Sequence, residues 1–337
     1  MLEFYQQMAQ ALRQDSVVLA TVVSVTGSVP REVGAKMLVC RDRTIGTIGG
    51  GAGEAKVIRQ ALEVLVTGEK QVVEIDLSGA SQRKTQGVCG GAMQVWLERW
   101  SGDEAIKLVE QIIEVLSSGG CETLVMPFSG DLQPYLEVGD NEPQRSQSRA
   151  EVSTGVRRER RGGAFREVLM PLPTLLIVGA GHVAVPLAAI AAMIGFRVTV
   201  VDDRAEFATR ERFPQANAVI AQPLTLALTC ALNSQYVALV TRGIQHDLEA
   251  LRFLLKTPAK YIGMIGSRKR VHLVRQQLQQ EGYPPKVLAS LYAPIGLDIG
   301  ALTPEEIAVS ICAELIKVRR GGTAKSLSNA VTTTIFT

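Results

Sequence analysis

The sequence predicts an α/β protein in two parts: an N-terminal mixed α+β domain followed by a domain built on a doubly wound parallel sheet. Three observations predict it. Strand-like and helix-like segments alternate after residue 172, the pattern of parallel strands joined by crossover helices. A glycine-rich turn joins the first strand of that half to its first helix. A polar stretch without apolar periodicity divides the halves, with arginines at 145, 149, 157, 158, 160 and 161. These arginines read as a solvated face or as a patch for an acidic partner.

In the first half, residues 2–13 read as a helix and 17–25 as a β-branched strand. Strands are expected at 36–40, 44–48, 72–76, 93–98 and 123–128, and helices at about 54–66 and 103–116. Three glycine-rich loops punctuate this half. Thr26-Gly27-Ser28-Val29-Pro30-Arg31 links two strands, Gly49, Gly50 and Gly51 precede a helix, and Gly87-Val88-Cys89-Gly90-Gly91 precedes a strand. Such loops mark either close approach of backbone to a ligand or tight turns. Glu54 reads as a loop-facing acid or as a favourable charge in a helix first turn. Cys89, between glycines, is a candidate reactive thiol or soft ligand, or else an inert half-buried thiol.

In the second half, the apolar strand 174–178 runs into Gly179-Ala180-Gly181-His182-Val183-Ala184, the G-x-G-x-x-A form of the dinucleotide fingerprint. This makes the domain Rossmann-type. Gly179 allows the tight turn, Gly181 lets a phosphate reach the backbone, and Ala184 lets helix and strand pack closely. The helix N-terminus supplies free N–H groups and a positive dipole end. Strand 197–201 ends in Asp202, at the separation expected of a ribose-binding acid. His182 either lines the pocket or caps the turn. A second cradle follows strand 260–265: Gly266 and Ser267 open a helix whose first turn holds Arg268 and Lys269. Cations there oppose the helix dipole, an arrangement that an anion between them would relieve. Strand 236–240 leads into Arg242 and His246 at the ligand-binding edge of the sheet. Asp298 stands in a glycine-bracketed loop with no local structural reason, whereas Thr303-Pro304-Glu305-Glu306 is explained as a capping box.

Composition excludes several classes. The 337 residues carry a net charge of +3, too mild for a nucleic-acid binder. Five scattered cysteines and three histidines, none at zinc-ligand spacing, argue against a zinc site and for a reduced, cytoplasmic setting. No apolar run is long enough for a membrane span, and no signal-peptide pattern precedes the first helix.

The chain resembles the XdhC/CoxI family, the accessory proteins of xanthine dehydrogenase and related molybdenum hydroxylases. The matching segments are TGSVPREVGAKMLV (26–39), IGTIGGGAGEAKV (45–57), GVCGGAMQV (87–95), LLIVGAGHVAVPLAAIAAMIGFRVTVVDDR (175–204), YIGMIGSRKR (261–270) and PIGLDIGALTPEEIAVSICAEL (294–315). Two positions depart from the family's commoner form. Ala52-Gly53-Glu54 replaces a cysteine-bearing loop, and Ile244 replaces a histidine.

The resemblance implies a non-catalytic carrier that binds molybdenum cofactor (molybdopterin) and assists its sulfuration and insertion. With the loop cysteine replaced, Cys89 is the thiol that could still neighbour the molybdenum. The resemblance also implies a molybdenum hydroxylase apoenzyme and a cysteine desulfurase-type sulfur donor as partners, and a homodimer is expected. Motif loops of both domains would face a shared cleft. Two other readings stay open: an NAD(P)-dependent oxidoreductase, with Asp202 favouring NAD over NADP, and a nucleotide-binding regulatory module without chemistry. The expected domains are an XdhC/CoxI-like domain at 1–138 and a Rossmann-like domain at 173–322, with a linker at 139–172 and a flexible tail at 323–337.

Overall fold

Tyr5, Met8, Ala9 and Leu12 recur every three or four residues and are buried, so the chain opens with an amphipathic helix, α1 (Leu2–Leu12). The structure, a computed structural model, describes residues 1–77, 90–128, 132–137, 163–229 and 234–328. It divides into two compact units, Met1–Pro171 and Leu172–Thr337.

The first unit continues with β1 (Val17–Thr26), β2 (Lys36–Val39), β3 (Thr44–Gly46), α2 (Gly51–Thr67), β4 (Gln71–Asp76), β5 (Ala92–Trp100) and α3 (Gly102–Ser118). Three further strands follow: β6 (Glu122–Pro127), β7 (Tyr135–Glu137) and β8 (Ala164–Leu169). Strands β3-β2-β1-β5-β4 form one antiparallel sheet and β7-β6-β8 a second. On one face of the larger sheet, Val18, Ala20 and Val95 pack with Val57, Ala61 and Val64 of α2. On the other, Leu19 and Trp100 join α1, α3 and inward residues of β6 and β8. An ion pair at 2.5 Å, Lys36 to Glu167, links the two sheets with both side chains buried.

Strand β8 lies inside the stretch expected as a linker. Its residues alternate between half-buried and buried, and Phe165 and Leu169 fill the same core as Leu124. This period-2 burial makes 164–169 part of the first unit's second sheet. Helix α2 begins three residues earlier than expected, because the positive-φ glycines 49 and 50 complete the turn and Gly51 is already its first residue.

The second unit alternates strand and helix: β9 (Thr174–Val178), α4 (Ala184–Met193), β10 (Arg197–Asp202), β11 (Ala218–Ala221), α5 (Leu224–Thr229), β12 (Tyr236–Leu239), α6 (Ile244–Leu254), β13 (Tyr261–Met264), α7 (Arg268–Gln280), α8 (Pro285–Ala289) and α9 (Pro304–Arg320). Its five strands are all parallel, in the order β11-β10-β9-β12-β13. Leu175 and Ile177 pack under α4 and α9, whereas Leu176 and Val178 pack under α5, α6 and α7. Helices therefore cover both faces, the doubly wound arrangement expected from the sequence. The capping box at α9 is present, with the Thr303 side chain accepting from Glu306 N–H and Glu306 accepting in return. No helix among the described residues is long and apolar enough to cross a membrane.

Candidate functional site

The strand order of the second unit reverses direction between β9 and β12, and such a switch point leaves a crevice at the carboxyl ends of the strands. A cavity of about 490 Å³ occupies it, lined by the fingerprint loop, the end of β10, and the loops after β12 and β13.

The fingerprint glycines differ in their surroundings. Gly179 has φ +104°, and a Cβ there would stand 2.6 Å from Val240 O. Gly181 would meet nothing within 4 Å and faces open space. Helix α4 has no side-chain cap and no acid in its first turn. Its N-terminal end therefore meets no capping side chain, an arrangement in which a helix start can take an anion. His182 is exposed and lines the cavity, and buried Ala184 seats the helix against the sheet.

Asp202 is placed at the cavity but is consumed internally. Its carboxylate accepts from Ala180 N–H at 2.7 Å, from Arg204 N–H at 3.0 Å, and from Arg204 Nε and Nη2 at 2.9 and 3.0 Å. Four donors fill the acceptor sites of one carboxylate. Burial works against its charge, yet the Arg204 guanidinium and the two backbone N–H groups hold the acid well below the usual carboxylate range. The Arg204 guanidinium lies 3.9 Å over the Phe207 ring. Arg212 braces the loop from the other side, donating to Ala180 O at 2.8 Å and Phe207 O at 2.7 Å.

The neighbouring acid, Asp203, takes a bidentate pair of bonds from Arg242 at 2.9 and 2.8 Å, and His246 Nε2 stands 4.0 Å from it. Asp247 is fully buried, bound to Thr241 Oγ1 at 2.6 Å and Arg270 Nε at 2.7 Å. Burial raises its pKa against the pull of these partners. This triad ties the start of α6 to the start of α7. A second, open hollow of about 640 Å³ adjoins the cavity there, lined by Ser267, Lys269 and the shared Arg242, His246 and Arg270, with no carboxylate.

Gly266 lines the first cavity and Ser267 caps α7 by accepting from Arg270 N–H. Arg268 is exposed and lines neither hollow. Asp298 is exposed and likewise lines neither. Its loop is fastened instead by Gly296 N–H donating to buried Glu314 and by Ser310 Oγ donating to Leu297 O.

In the first unit the glycine loops pack on one another. A Cβ at Gly27 would meet Gly90 O at 2.8 Å, one at Gly91 would collide with Ser28 O, and one at Gly49 would meet Pro30 Cγ at 2.5 Å. Glu54 stitches its own loop, accepting from Thr47 Oγ1 at 2.5 Å, Ile48 N–H at 3.0 Å and Gly50 N–H at 3.1 Å. Burial opposes its charge, and these bonds lower its pKa regardless. Gly50 and Gly51 have open space where a Cβ would stand. Cys89 lies outside the described residues. Cys312 is buried and its thiol is pushed up to about 12, and burial also raises Cys40 and Cys121. Among the described residues no group of three or more His, Cys, Asp or Glu could hold a metal ion.

The glycine positions were legible from spacing. Arg204, Phe207 and Arg212 were not, although an arginine two residues after Asp202 was the available signal.

Residues 11–76 match the XdhC and CoxI family, and residues 175–315 match the XdhC Rossmann domain. The chain is 32% identical to a protein of Bacillus subtilis (strain 168) named as a probable subunit of xanthine dehydrogenase, with 91% of this chain and 94% of that one covered. The chain belongs to the XdhC and CoxI family. This XdhC-type chain is also 24% identical to the molybdenum cofactor insertion chaperone PaoD of Escherichia coli (strain K12), over 90% of its own length and 83% of that protein's. A solved structure named as a xanthine dehydrogenase from Bacillus halodurans superposes with a TM-score of 0.79 at 29% identity, covering 97% of this XdhC-type chain and 98% of that one.

Proposed function

We propose that this chain is a molybdenum cofactor-binding accessory protein that assists maturation of a xanthine dehydrogenase-type molybdenum hydroxylase, through cofactor sulfuration and insertion. The observation that carries the reading is the switch-point cavity with Gly181 open to it, at an uncapped helix start and beneath a rim of arginine and histidine. Two relatives support the client class by their names, one as part of a xanthine dehydrogenase and one as a molybdenum cofactor insertion chaperone.

Molybdenum cofactor is the cargo here. Its phosphate suits the α4 N-terminus, where backbone N–H groups and the dipole favour an anion. Its metal is already bound by its own dithiolene, so the chain need not supply a full ligand set. Burial raises the thiol pKa of Cys40, Cys121 and Cys312, which disfavours their thiolates; of the two remaining cysteines, Cys89 and Cys230, Cys89 stands in the matched glycine loop and is the thiol to test. A cysteine desulfurase-type donor would supply the sulfur.

The test is anaerobic incubation with molybdenum cofactor, removal of free ligand, and assay of retained molybdenum and pterin. Near-stoichiometric retention is expected, lost in Gly181→Arg, together with faster activation of a molybdenum hydroxylase apoenzyme. No retained cofactor and no effect on the apoenzyme would overturn the reading. NAD(P)H turnover by the chain would instead mark the oxidoreductase reading.

A further inference from the structure

An acid at the end of the second strand of a Rossmann sheet ordinarily accepts bonds from the two hydroxyls of an adenosine ribose. Here that acid cannot do so without breaking its own contacts. Asp202 is buried and receives four N–H donors, two of them from the side chain of Arg204. The next acid, Asp203, is held bidentate by Arg242. Neither carboxylate is presented as a free diol acceptor.

The same place presents guanidinium instead. Arg204 Nε stands 2.9 Å from Asp202 Oδ1 and Arg242 Nη1 stands 3.9 Å from that same oxygen, so the two guanidinium groups flank one point at the strand end. Both line the cavity. Asp202 occupies Nε and Nη2 of Arg204, and Nη1 makes no hydrogen bond among the described residues. The Phe207 ring beneath Arg204 fixes the plane of the guanidinium. Asp202 and Asp203 are each paired with an arginine, so neither carboxylate stands there as an uncompensated charge. A fixed, planar array of N–H donors matches phosphate oxygens bidentately and gains little from a neutral diol.

We infer that the cavity selects a nucleotide carrying a phosphomonoester on its adenosine ribose, with Arg204 and Arg242 as the specificity-determining residues. The ligand class is a 2′- or 3′-phosphorylated adenine nucleotide of the NADP type, in preference to the unphosphorylated NAD type. This replaces the sequence expectation that Asp202 favours NAD. It rests on the reading of the cavity as a phosphate-ligand site, and not on molybdenum.

Isothermal titration of the full chain at fixed ionic strength tests it, with NAD, NADP, adenosine 2′,5′-bisphosphate and adenosine 3′,5′-bisphosphate as ligands. NADP is expected to bind about tenfold or more tighter than NAD. The two bisphosphates carry equal charge, so the tighter one locates the selected phosphate at the 2′ or 3′ position. In Arg242→Met the NADP preference is expected to fall to about twofold or less while NAD affinity stays nearly unchanged. Arg204→Met is expected to do the same, and Arg242→Met carries the test should that variant lose the fold. Equal or tighter binding of NAD, or a preference that survives both variants, would overturn the inference. So would equal binding of the two bisphosphates, which a merely basic surface would give. Retention of molybdenum cofactor with no nucleotide bound would sink this inference alone, whereas loss of both would sink the reading of the cavity itself.

Discussion

Gly179 and Gly181 stand two residues apart in one loop and answer to different forces. Gly179 is held at positive φ with Val240 O pressed against the missing Cβ, whereas Gly181 borders open space. Gly179→Ala is therefore expected to cost about 2 kcal/mol or more in stability. Gly181→Ala should change stability by less than about 1 kcal/mol and yet weaken phosphate-ligand binding about tenfold, since the methyl fills the approach to the backbone. Denaturant melts and ligand titration on the two variants separate fold from site, and equal effects on both would contradict the assignment.

Asp202 gives a second test at this scale. Its folded pKa is depressed, so its contribution is fully present above the unfolded carboxyl value of about 3.9 and is lost as pH falls through the folded value. The stability gap between wild type and Asp202→Asn should stay constant from neutral pH to about pH 4, at roughly 2 kcal/mol, and narrow below it. A gap that widens in acid would mean that the carboxylate is not held by its N–H donors. The identity of Asp202 was legible in the sequence, because strand, turn, helix and acid follow in order. Its internal saturation was not, because Ala180 is brought to it only by the fold, and spacing alone does not say that Arg204, two residues on, turns back onto the carboxylate.

Elements were legible where burial leaves a period, and illegible where a short strand borrows its partner from afar. The expected parallel strands of the second unit are apolar on both faces and read plainly as buried runs. Strand β8 is six residues long, follows an arginine-rich stretch, and is defined by pairing with β6 some forty residues earlier in the chain. Its central charge, Glu167, reads as solvent-facing in isolation but lies buried against Lys36 of β2. That pair predicts a characteristic asymmetry. Glu167→Ala should destabilise by about 3–5 kcal/mol, because Lys36 is left buried and unpaired. The double variant Lys36→Met, Glu167→Leu should recover most of that loss, since similarly sized apolar groups avoid the desolvation cost. Thermal or urea melts of the single and double variants check it. A double variant no better than the single would show that the pair contributes net stability beyond the cost of its own burial.

At the scale of the whole molecule, the hydrophobic clusters partition cleanly. Two draw their residues from Met1–Pro171 and two from Leu172–Thr337. A unit with helices packed on both faces of its own sheet contains the burial needed to fold alone, and about 165 residues is an ordinary domain size. Every residue placed around the switch-point cavity, from Val178 to Arg270, also belongs to the second unit. The fragment 172–337 is therefore expected to unfold cooperatively and to keep the phosphate-ligand affinity of the full chain within about threefold, because neither its core nor its cavity lining is lost. The fragment 1–171 should fold as well but bind no such ligand. Calorimetry of each fragment, followed by titration with NADP, decides the matter. A folded 172–337 fragment with its affinity abolished would mean that the first unit contributes directly to the ligand site, and the glycine loops around Gly27, Gly49 and Gly91 would then be the first place to look for the missing contacts.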